Sequence, residues 1–189
     1  LAAGSKAAAK LGSDGSGYDL AKMLGHKLVP VVPALVQLRC REKLYRQVAG
    51  VRTHGKVTVF IDRTETASDI GELQLTDYGI SGIPVFQISR YVARGLYEKK
   101  EVFAELDFMP DFGDVEFLQM LKERKIRLDG LVMEQYFNGL FHKKLAGALL
   151  KRIGISGTMP VHDLGEEDLE RLCRICKHFR TYIDKTNPF

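Results

Sequence analysis

The sequence lacks the features that define several large classes of protein. Its 189 residues include three cysteines at irregular positions, too few for the disulfide framework of a small secreted protein. No apolar run reaches the length of a membrane span. The first ten residues, LAAGSKAAAK, have neither a basic lead-in nor a long apolar core and do not read as a signal peptide. We therefore expect a cytoplasmic protein with no membrane contact.

Motifs of common hydrolases and metalloenzymes are also missing. There is no GxSxG nucleophile elbow, no HExxH zinc motif and no calcium-binding loop. Cys173 and Cys176 form a C-x-x-C pair near His178, but zinc needs further ligands at suitable spacing, and Cys40 is remote in sequence. The pair falls within a predicted helix, which favours core residues over a redox motif. No metal site is predicted, no catalytic acid or base is identified, and a standalone hydrolase is the least favoured class.

The charge distribution gives no sign of a nucleic-acid-binding surface. The net charge is +4, and basic residues alternate with acidic ones, as in 122-KERKIRLD-129 and 166-EEDLERLCRICKHFR-180. Such mixed runs are typical of solvated helix faces. A nucleic-acid partner is therefore not expected.

Hydrophobic spacing predicts strands in the first part of the chain and helices in the second. Residues 83–96, between strands, also have helical spacing, with Pro84 in the first turn. The stretch 42–50 is a short helix or an irregular turn. The predicted extended segments are 34–39, 55–63, 69–82, 101–108 and a final strand 181–186; the predicted later helices are 114–125, 131–139, 142–154 and 164–180. This order indicates an α+β fold, in which an antiparallel barrel or sandwich is capped by helices.

Two glycine-rich turns each precede a predicted helix. The first, 11-LGSDGSGYDLAKMLGH-26, contains Gly12, Gly15 and Gly17 with Ser16 as a candidate cap. The second places Ser81 between Gly79 and Gly82. Either turn is a cradle for an anion or cofactor at a helix N-terminus, or a tight turn that needs glycine only for its backbone.

The ordered motifs resemble those of the bacterial BaiN/YhiN-like flavoproteins, also described as aminoacetone-oxidase-like. That family has a strand ending in Ala-Thr-Gly-Gly, a Gly-Ser-Thr-Gly-Asp-Gly-Tyr turn and a helix closing on Gly-His, to which 2-AAGS-5, 12-GSDGSGY-18 and 25-GH-26 are similar. Its later Pro-Ala-Leu-Val, Gly-Glu-Leu-Leu-Phe-Thr and Gly-Ile-Ser-Gly-Pro motifs are similar to 33-PALV-36, 71-GELQLT-76 and 79-GISGIP-84. Ser5, Gln74, Leu75 and Ile83 depart from the family pattern.

The resemblance implies that the chain is the insertion of an FAD-dependent oxidoreductase. Residues 1–26 would be a short remnant of a Rossmann-type FAD domain, 27–110 a small antiparallel β-barrel to which 181–189 return, and 111–180 a helical bundle. The implied cofactor-binding residues are Gly4, Gly12, Asp14, Gly15 and Gly17 in the first turn, and Thr76, Gly79 and Ser81 in the second. The implied partners are the remainder of the FAD domain and a small-molecule substrate, and an NAD(P)H-linked reaction is compatible with them.

The chain is not expected to act alone. The strand-following GxGxxG segment, which holds the pyrophosphate in such domains, is absent. We therefore expect that FAD is held by the parent protein and not retained by this chain. The alternative is a standalone protein-interaction or ligand-binding module, which an exposed apolar patch on residues 101–108 would favour.

Overall fold

The computed structural model describes residues 2–7 and 9–188. Its strands are β1 (Leu38–Cys40), β2 (Arg52–Ile61), β3 (Thr64–Leu75), β4 (Gly79–Ser81), β5 (Val102–Asp107) and β6 (Phe179–Thr186). Its α-helices are α1 (Ser16–Met23), α2 (Tyr45–Val48), α3 (Ile83–Tyr97), α4 (Asp114–Arg127), α5 (Met133–Tyr136), α6 (Lys143–Arg152) and α7 (Glu166–Lys177). The prediction of an α+β protein with strands first and helices later is confirmed.

The six strands close into an antiparallel barrel in the order β1-β4-β3-β2-β5-β6. The last strand closes it, because β6 pairs with β5 on one side and with β1 on the other. The predicted final strand is therefore confirmed, although it begins at Phe179, inside the stretch predicted as helix. Closure removes the exposed strand edges that an open sandwich would have left, and a barrel replaces the sandwich alternative.

Alternation along β2 and β5 fills the barrel interior. Val57 and Val59 of β2 are fully buried, and Ala104 and Leu106 of β5 join them. The outer face of β5 is covered as well, since Phe103 stacks on Phe60 with ring centroids 4.9 Å apart. Residues 101–108 therefore do not form the exposed apolar patch that an interaction module would need.

Helix α3 lies against the barrel and confirms the sequence interpretation. It begins after Gly82, has Pro84 in its first turn, and buries Val85, Ile88 and Val92. Pro84 fits there because the first amides of a helix lack intrahelical acceptors. The helix links β4 to β5.

Helix α4 confirms the helix predicted at 114–125 and continues to Arg127. Gly113 is its N-cap, and Asp114 is its first helical residue. Val115 is 85% exposed, whereas Phe117 and Leu121 are fully buried. These two residues, at i and i+4, lie on the face that packs against the other helices.

The helices after residue 113 extend the hydrophobic core of the barrel, because their buried side chains belong to the same continuous cluster. Helix α7 packs against both α4 and α6, and α5 packs against α6. Fully buried side chains of this helical part include Phe117, Leu121, Tyr136, Leu149 and Leu172. Among the described residues, no helix combines the length and apolar character needed to cross a membrane.

The N-terminal segment is the least packed part of the described chain. Helix α1 forms where the glycine turn predicted it, but it contains no buried residue. The strand end expected at residues 1–4 is not observed: Leu1 lies outside the described residues, and residues 2–5 form no strand. A β-strand needs a neighbouring strand, and no strand of the barrel pairs with this segment.

Candidate functional site

The first glycine turn is closely packed around its missing side chains. Gly4 and Gly15 have φ of 73° and 86°, a left-handed conformation that favours glycine. A Cβ at Gly17 would lie 2.9 Å from Cβ of Ala3 and 3.9 Å from the carbonyl oxygen of Gly4. Residues 3–4 therefore lie directly against the start of α1, and three of the predicted site glycines come together here.

Asp14, not Ser16, satisfies the start of α1. Its Oδ1 accepts a hydrogen bond from the backbone N–H of Ser16 at 2.9 Å, and Ser16 is itself the first helical residue. This bond holds the pKa of the Asp14 carboxyl below its ordinary value. The expectation of a Ser16 cap is wrong, because Ser16 is already part of the helix and its N–H donates to the carboxylate of Asp14, two residues earlier. The turn thus already carries a negative charge at the helix N-terminus.

Ser13 ties the two halves of this turn together. Its hydroxyl donates to the carbonyl oxygen of Ser5 and lies 3.3 Å from that of Ala3. Gly12, with φ of 100°, has open space where a Cβ would stand. Gly12 therefore serves the turn through its backbone conformation alone, whereas Gly4, Gly15 and Gly17 also lie where side chains would collide.

The second turn is shaped by the barrel. The N–H of Thr76 donates to the carbonyl oxygen of Gly79 at 2.9 Å, and its hydroxyl lies 3.1 Å from the same oxygen. A Cβ at Gly79 would collide with the carbonyl oxygen of Leu38 and lie 2.9 Å from N of Cys40. Gly79 is thus required for the pairing of β4 with β1, and Ser81 is only 2% exposed.

The two predicted turns are not joined by a hydrogen bond in the described part of the chain. Segment 2–26 forms its hydrogen bonds internally, and residues 76–81 bond to the barrel. The structure therefore assembles the predicted residues into two separate groups.

The cysteines are positioned as core residues. Cys173 and Cys176 lie within α7 and are 7% and 0% exposed. Burial raises the pKa of both thiols and raises the pKa of Cys40 to about 12. A thiol must ionise to act as a nucleophile, and burial disfavours that ionisation at these positions. Among the described residues, no cluster of three or more histidine, cysteine or acidic side chains is arranged to hold a metal.

Sequence reasoning missed a charged cluster where α7 meets β5. Lys177 is 4% exposed, and its Nζ donates to Oδ2 of Asp107 at 2.7 Å. The next residue, His178, lies between Oε1 of Glu105 and Oδ2 of Asp114, with 2.9 Å to each. Lys177 follows Cys173 by four residues, which places both on the same face of α7. The sequence therefore indicated that Lys177 would be buried if the cysteines were core residues.

The pKa of His178 is shifted by competing effects. Burial lowers it, but the hydrogen bonds to Glu105 and Asp114 outweigh burial and leave the pKa above the ordinary 6.5. Protonated His178 therefore bridges β5 and α4 with a donor at each ring nitrogen. This arrangement connects the barrel to the helices and does not require a substrate.

Comparisons with known proteins identify the family of the chain. Residues 32–189 match the family model described as "HI0933-like protein barrel and H2TH domain". The chain is 46% identical, over 192 aligned residues, to a 3-dehydro-bile acid delta(4,6)-reductase of Clostridium scindens. The alignment covers 100% of this chain and 46% of that relative, so the chain spans about half the length of the reductase it matches. The chain therefore belongs to the HI0933-like family, the BaiN/YhiN-type flavoproteins that its motifs resemble.

Proposed function

We propose that this chain is the barrel-and-helix insertion of an FAD-dependent oxidoreductase that reduces a small molecule. In this proposal residues 1–26 belong to the FAD domain, 27–110 and 181–189 form the barrel part, and 111–180 form the helical part. The similarity to a reductase over the whole chain supports the reaction class. An NAD(P)H-linked reaction is compatible with this reaction class.

The observation that carries the proposal is the close packing of the first glycine turn. Gly4, Gly15 and Gly17 allow residues 3–4 to pass directly against the start of α1, with neighbouring side chains of the turn in the space that a Cβ would take. In the parent protein, a turn folded this tightly would present main-chain atoms to a planar ring. FAD supplies the redox chemistry, while the protein holds and orients it.

The charge of this turn indicates which part of FAD it fits. The Asp14 carboxylate already accepts from the first amide of α1, where a phosphate would otherwise bind. A pyrophosphate beside this carboxylate would be repelled. The turn therefore suits the uncharged flavin ring, and the pyrophosphate would bind elsewhere in the parent protein. Gly12 and Asp14 would shape the turn, and Gly4, Gly15 and Gly17 would contact the ring.

The second turn would border the same cofactor from the barrel side. Thr76 holds the turn by donating from its N–H and its hydroxyl to the carbonyl oxygen of Gly79, and Ser81 follows in β4. Ile83, the first residue of α3, is 72% exposed beside them. We infer that this exposed edge, rather than the buried hydroxyl of Ser81, faces the cofactor.

The partner that this proposal requires is the rest of the FAD domain. Helix α1 carries exposed apolar side chains and has no buried residue: Leu20 is 43%, Met23 82% and Leu24 69% exposed. A cluster of this kind on a short helix is typical of a surface that another part of the protein covers. The relative, of which the chain covers 46%, has ample further sequence for such a domain.

A matched pair of glycine variants in the full-length protein tests the flavin contact. Gly17→Ala adds a methyl group that must displace Ala3, whereas Gly147→Ala adds one inside helix α6 where nothing lies within 4 Å. Alanine is intrinsically favoured over glycine in both helices. We expect Gly17→Ala to weaken FAD binding by about tenfold or more, because losing about 1.4 kcal/mol of binding free energy lowers the affinity tenfold. Gly147→Ala should leave FAD binding unchanged. Equal FAD affinity in the two variants would contradict the assignment of the first turn.

A further inference from the structure

A cavity of about 420 Å³ lies beside α3, away from the glycine turns. Its walls come from α3, from the β2–β3 hairpin and from the segment before β1. Val32 and Ile61 provide apolar surface, and Arg90, Arg94 and Lys100 provide positive charge. The volume is within the range of pockets that bind small organic molecules.

The segment before β1 is fixed against α3. The N–H of Val36 donates to Oγ of Ser89 at 3.2 Å, and Ser89 is fully buried. The same wall continues into a smaller neighbouring cavity of about 130 Å³, which Val29, Pro30 and Tyr97 line. The apolar part of the site is therefore an elongated groove between this segment and α3.

The charge around the cavity is predominantly positive. Glu98 is the acidic residue in its lining, and this carboxylate is shared: Arg94 Nε lies 3.0 Å and Lys100 Nζ 2.8 Å from its two oxygens. Asp62 lies close enough to Lys100 to act on its charge, but its Oδ1 accepts the N–H of Glu101. Three cations therefore face one lining carboxylate, which favours an anionic ligand.

Arg90 is the cation best placed to bind such a ligand. Within residues 2–7 and 9–188 its guanidinium forms no salt bridge; its Nη2 lies 2.9 Å from the Tyr91 hydroxyl, and its Cζ lies 4.8 Å from the centre of that ring. The ring holds the guanidinium in place without neutralising it. A planar guanidinium held in this way can donate two parallel hydrogen bonds to a carboxylate.

We propose that this groove binds a small organic carboxylate with an apolar body. The body lies on Val32 and Ile61, and the carboxylate pairs with Arg90 and reaches Arg94. None of the residues that line the groove belongs to either glycine turn. The groove supplies what such a ligand needs at its two ends: an apolar floor, and a cation that has no carboxylate partner among the residues that the structure describes.

Calorimetric titrations of the 189-residue chain with three probes separate the contribution of the apolar body to binding from that of the carboxylate. Naphthoate has both an apolar body and a carboxylate, naphthalenemethanol has the body alone, and acetate has the charge alone. We expect naphthoate to bind, and both other probes to bind at least about tenfold more weakly, since a charge-assisted hydrogen bond contributes on this scale. Equal binding of acetate would indicate an adventitious ion only, and equal binding of naphthalenemethanol would indicate a purely apolar patch; each overturns the proposal.

Two arginine variants locate the binding. Arg90→Gln removes the guanidinium that the ligand carboxylate would contact, at an exposed position, and Arg127→Gln removes an exposed arginine of α4 as a matched control. We expect Arg90→Gln to weaken naphthoate binding by about tenfold and Arg127→Gln to leave it unchanged. Undiminished binding by Arg90→Gln, or no binding of naphthoate to the unaltered chain up to about 5 mM, overturns the proposal.

Discussion

The ammonium group of Lys177 lies 2.7 Å from Oδ2 of Asp107, and this ion pair joins α7 to the end of β5. The same ammonium donates to the carbonyl oxygens of Met109 and Phe112, the first at 2.8 Å. All three of its protons are therefore used. The pair fastens the helical part of the chain to the barrel at a point where Lys177 is shielded from water.

Lys177→Met should destabilise the protein strongly. The variant removes the partner of the Asp107 carboxylate and of two carbonyl oxygens, and breaking a buried pair costs about 3–5 kcal/mol. Lys122→Met is the control, because Lys122 pairs with Glu166 at the surface, where such pairs contribute about 0–1 kcal/mol. Urea unfolding followed by far-ultraviolet circular dichroism measures both. Similar losses in the two variants would contradict the structural role of Lys177.

The pH dependence of stability should contain a contribution from His178. Its pKa is raised on folding by Glu105 and Asp114, so its stabilising contribution is complete below the unfolded value of 6.5 and is lost as pH rises through the folded pKa. Melting temperatures of the unaltered chain and of His178→Gln, measured across this window, should converge as pH rises. His26→Gln serves as the control. A constant difference between His178→Gln and the unaltered chain at all pH values would show that protonation of His178 is not involved.

Gly79→Ala should weaken the barrel at its closure. The added Cβ would collide with the carbonyl oxygen of Leu38, and φ at this position is 156°. Disruption of β1–β4 pairing should lower the free energy of unfolding by about 1–3 kcal/mol. Gly130→Ala adds a methyl group with nothing within 4 Å and should change it little. Unfolding curves of Gly79→Ala that coincide with those of Gly130→Ala would refute the close approach of these strands.

The cysteines should react slowly with a thiol reagent in the folded protein. Burial raises the pKa of Cys40 to about 12 and raises the pKa of Cys173 and Cys176. Reaction requires the thiolate, so all three thiols should titrate rapidly only after denaturation. The native and denatured rates are compared with one chromogenic disulfide reagent at pH 8. A thiol that reacts as fast in the native protein as in the denatured one would contradict this burial.

The barrel was predictable because local pattern and global structure agree along most of its strands. Val57 and Val59 alternate with residues on the other face, and the barrel buries them as the period of two requires. Ile70 is in the same strand as Leu73 but has opposite parity, and it is 53% exposed while Leu73 is fully buried. The register shift between Val59 and Phe60, where β2 pairs with β3, has no such signal in the sequence.

The candidate site was only partly predictable for a different reason. Glycines at Gly15 and Gly79 mark tight backbone positions in the sequence, but only the structure shows that Gly79 is needed for strand pairing. Burial of Lys177 and the position of Arg90 depend on contacts between segments distant in sequence. Tertiary contacts of this kind leave no periodic signal.

The visible absorption spectrum tests the central claim, that the chain is one part of a flavoprotein. The full-length protein and the 189-residue chain are each mixed with excess FAD, desalted and measured at equal concentration. We predict that the full-length protein retains the two-banded spectrum of bound flavin and that the chain retains none. A chain that retains FAD in equal molar amount would contradict the account, because the complete cradle would then lie within these residues, and a full-length protein that remains colourless would contradict the proposed cofactor itself.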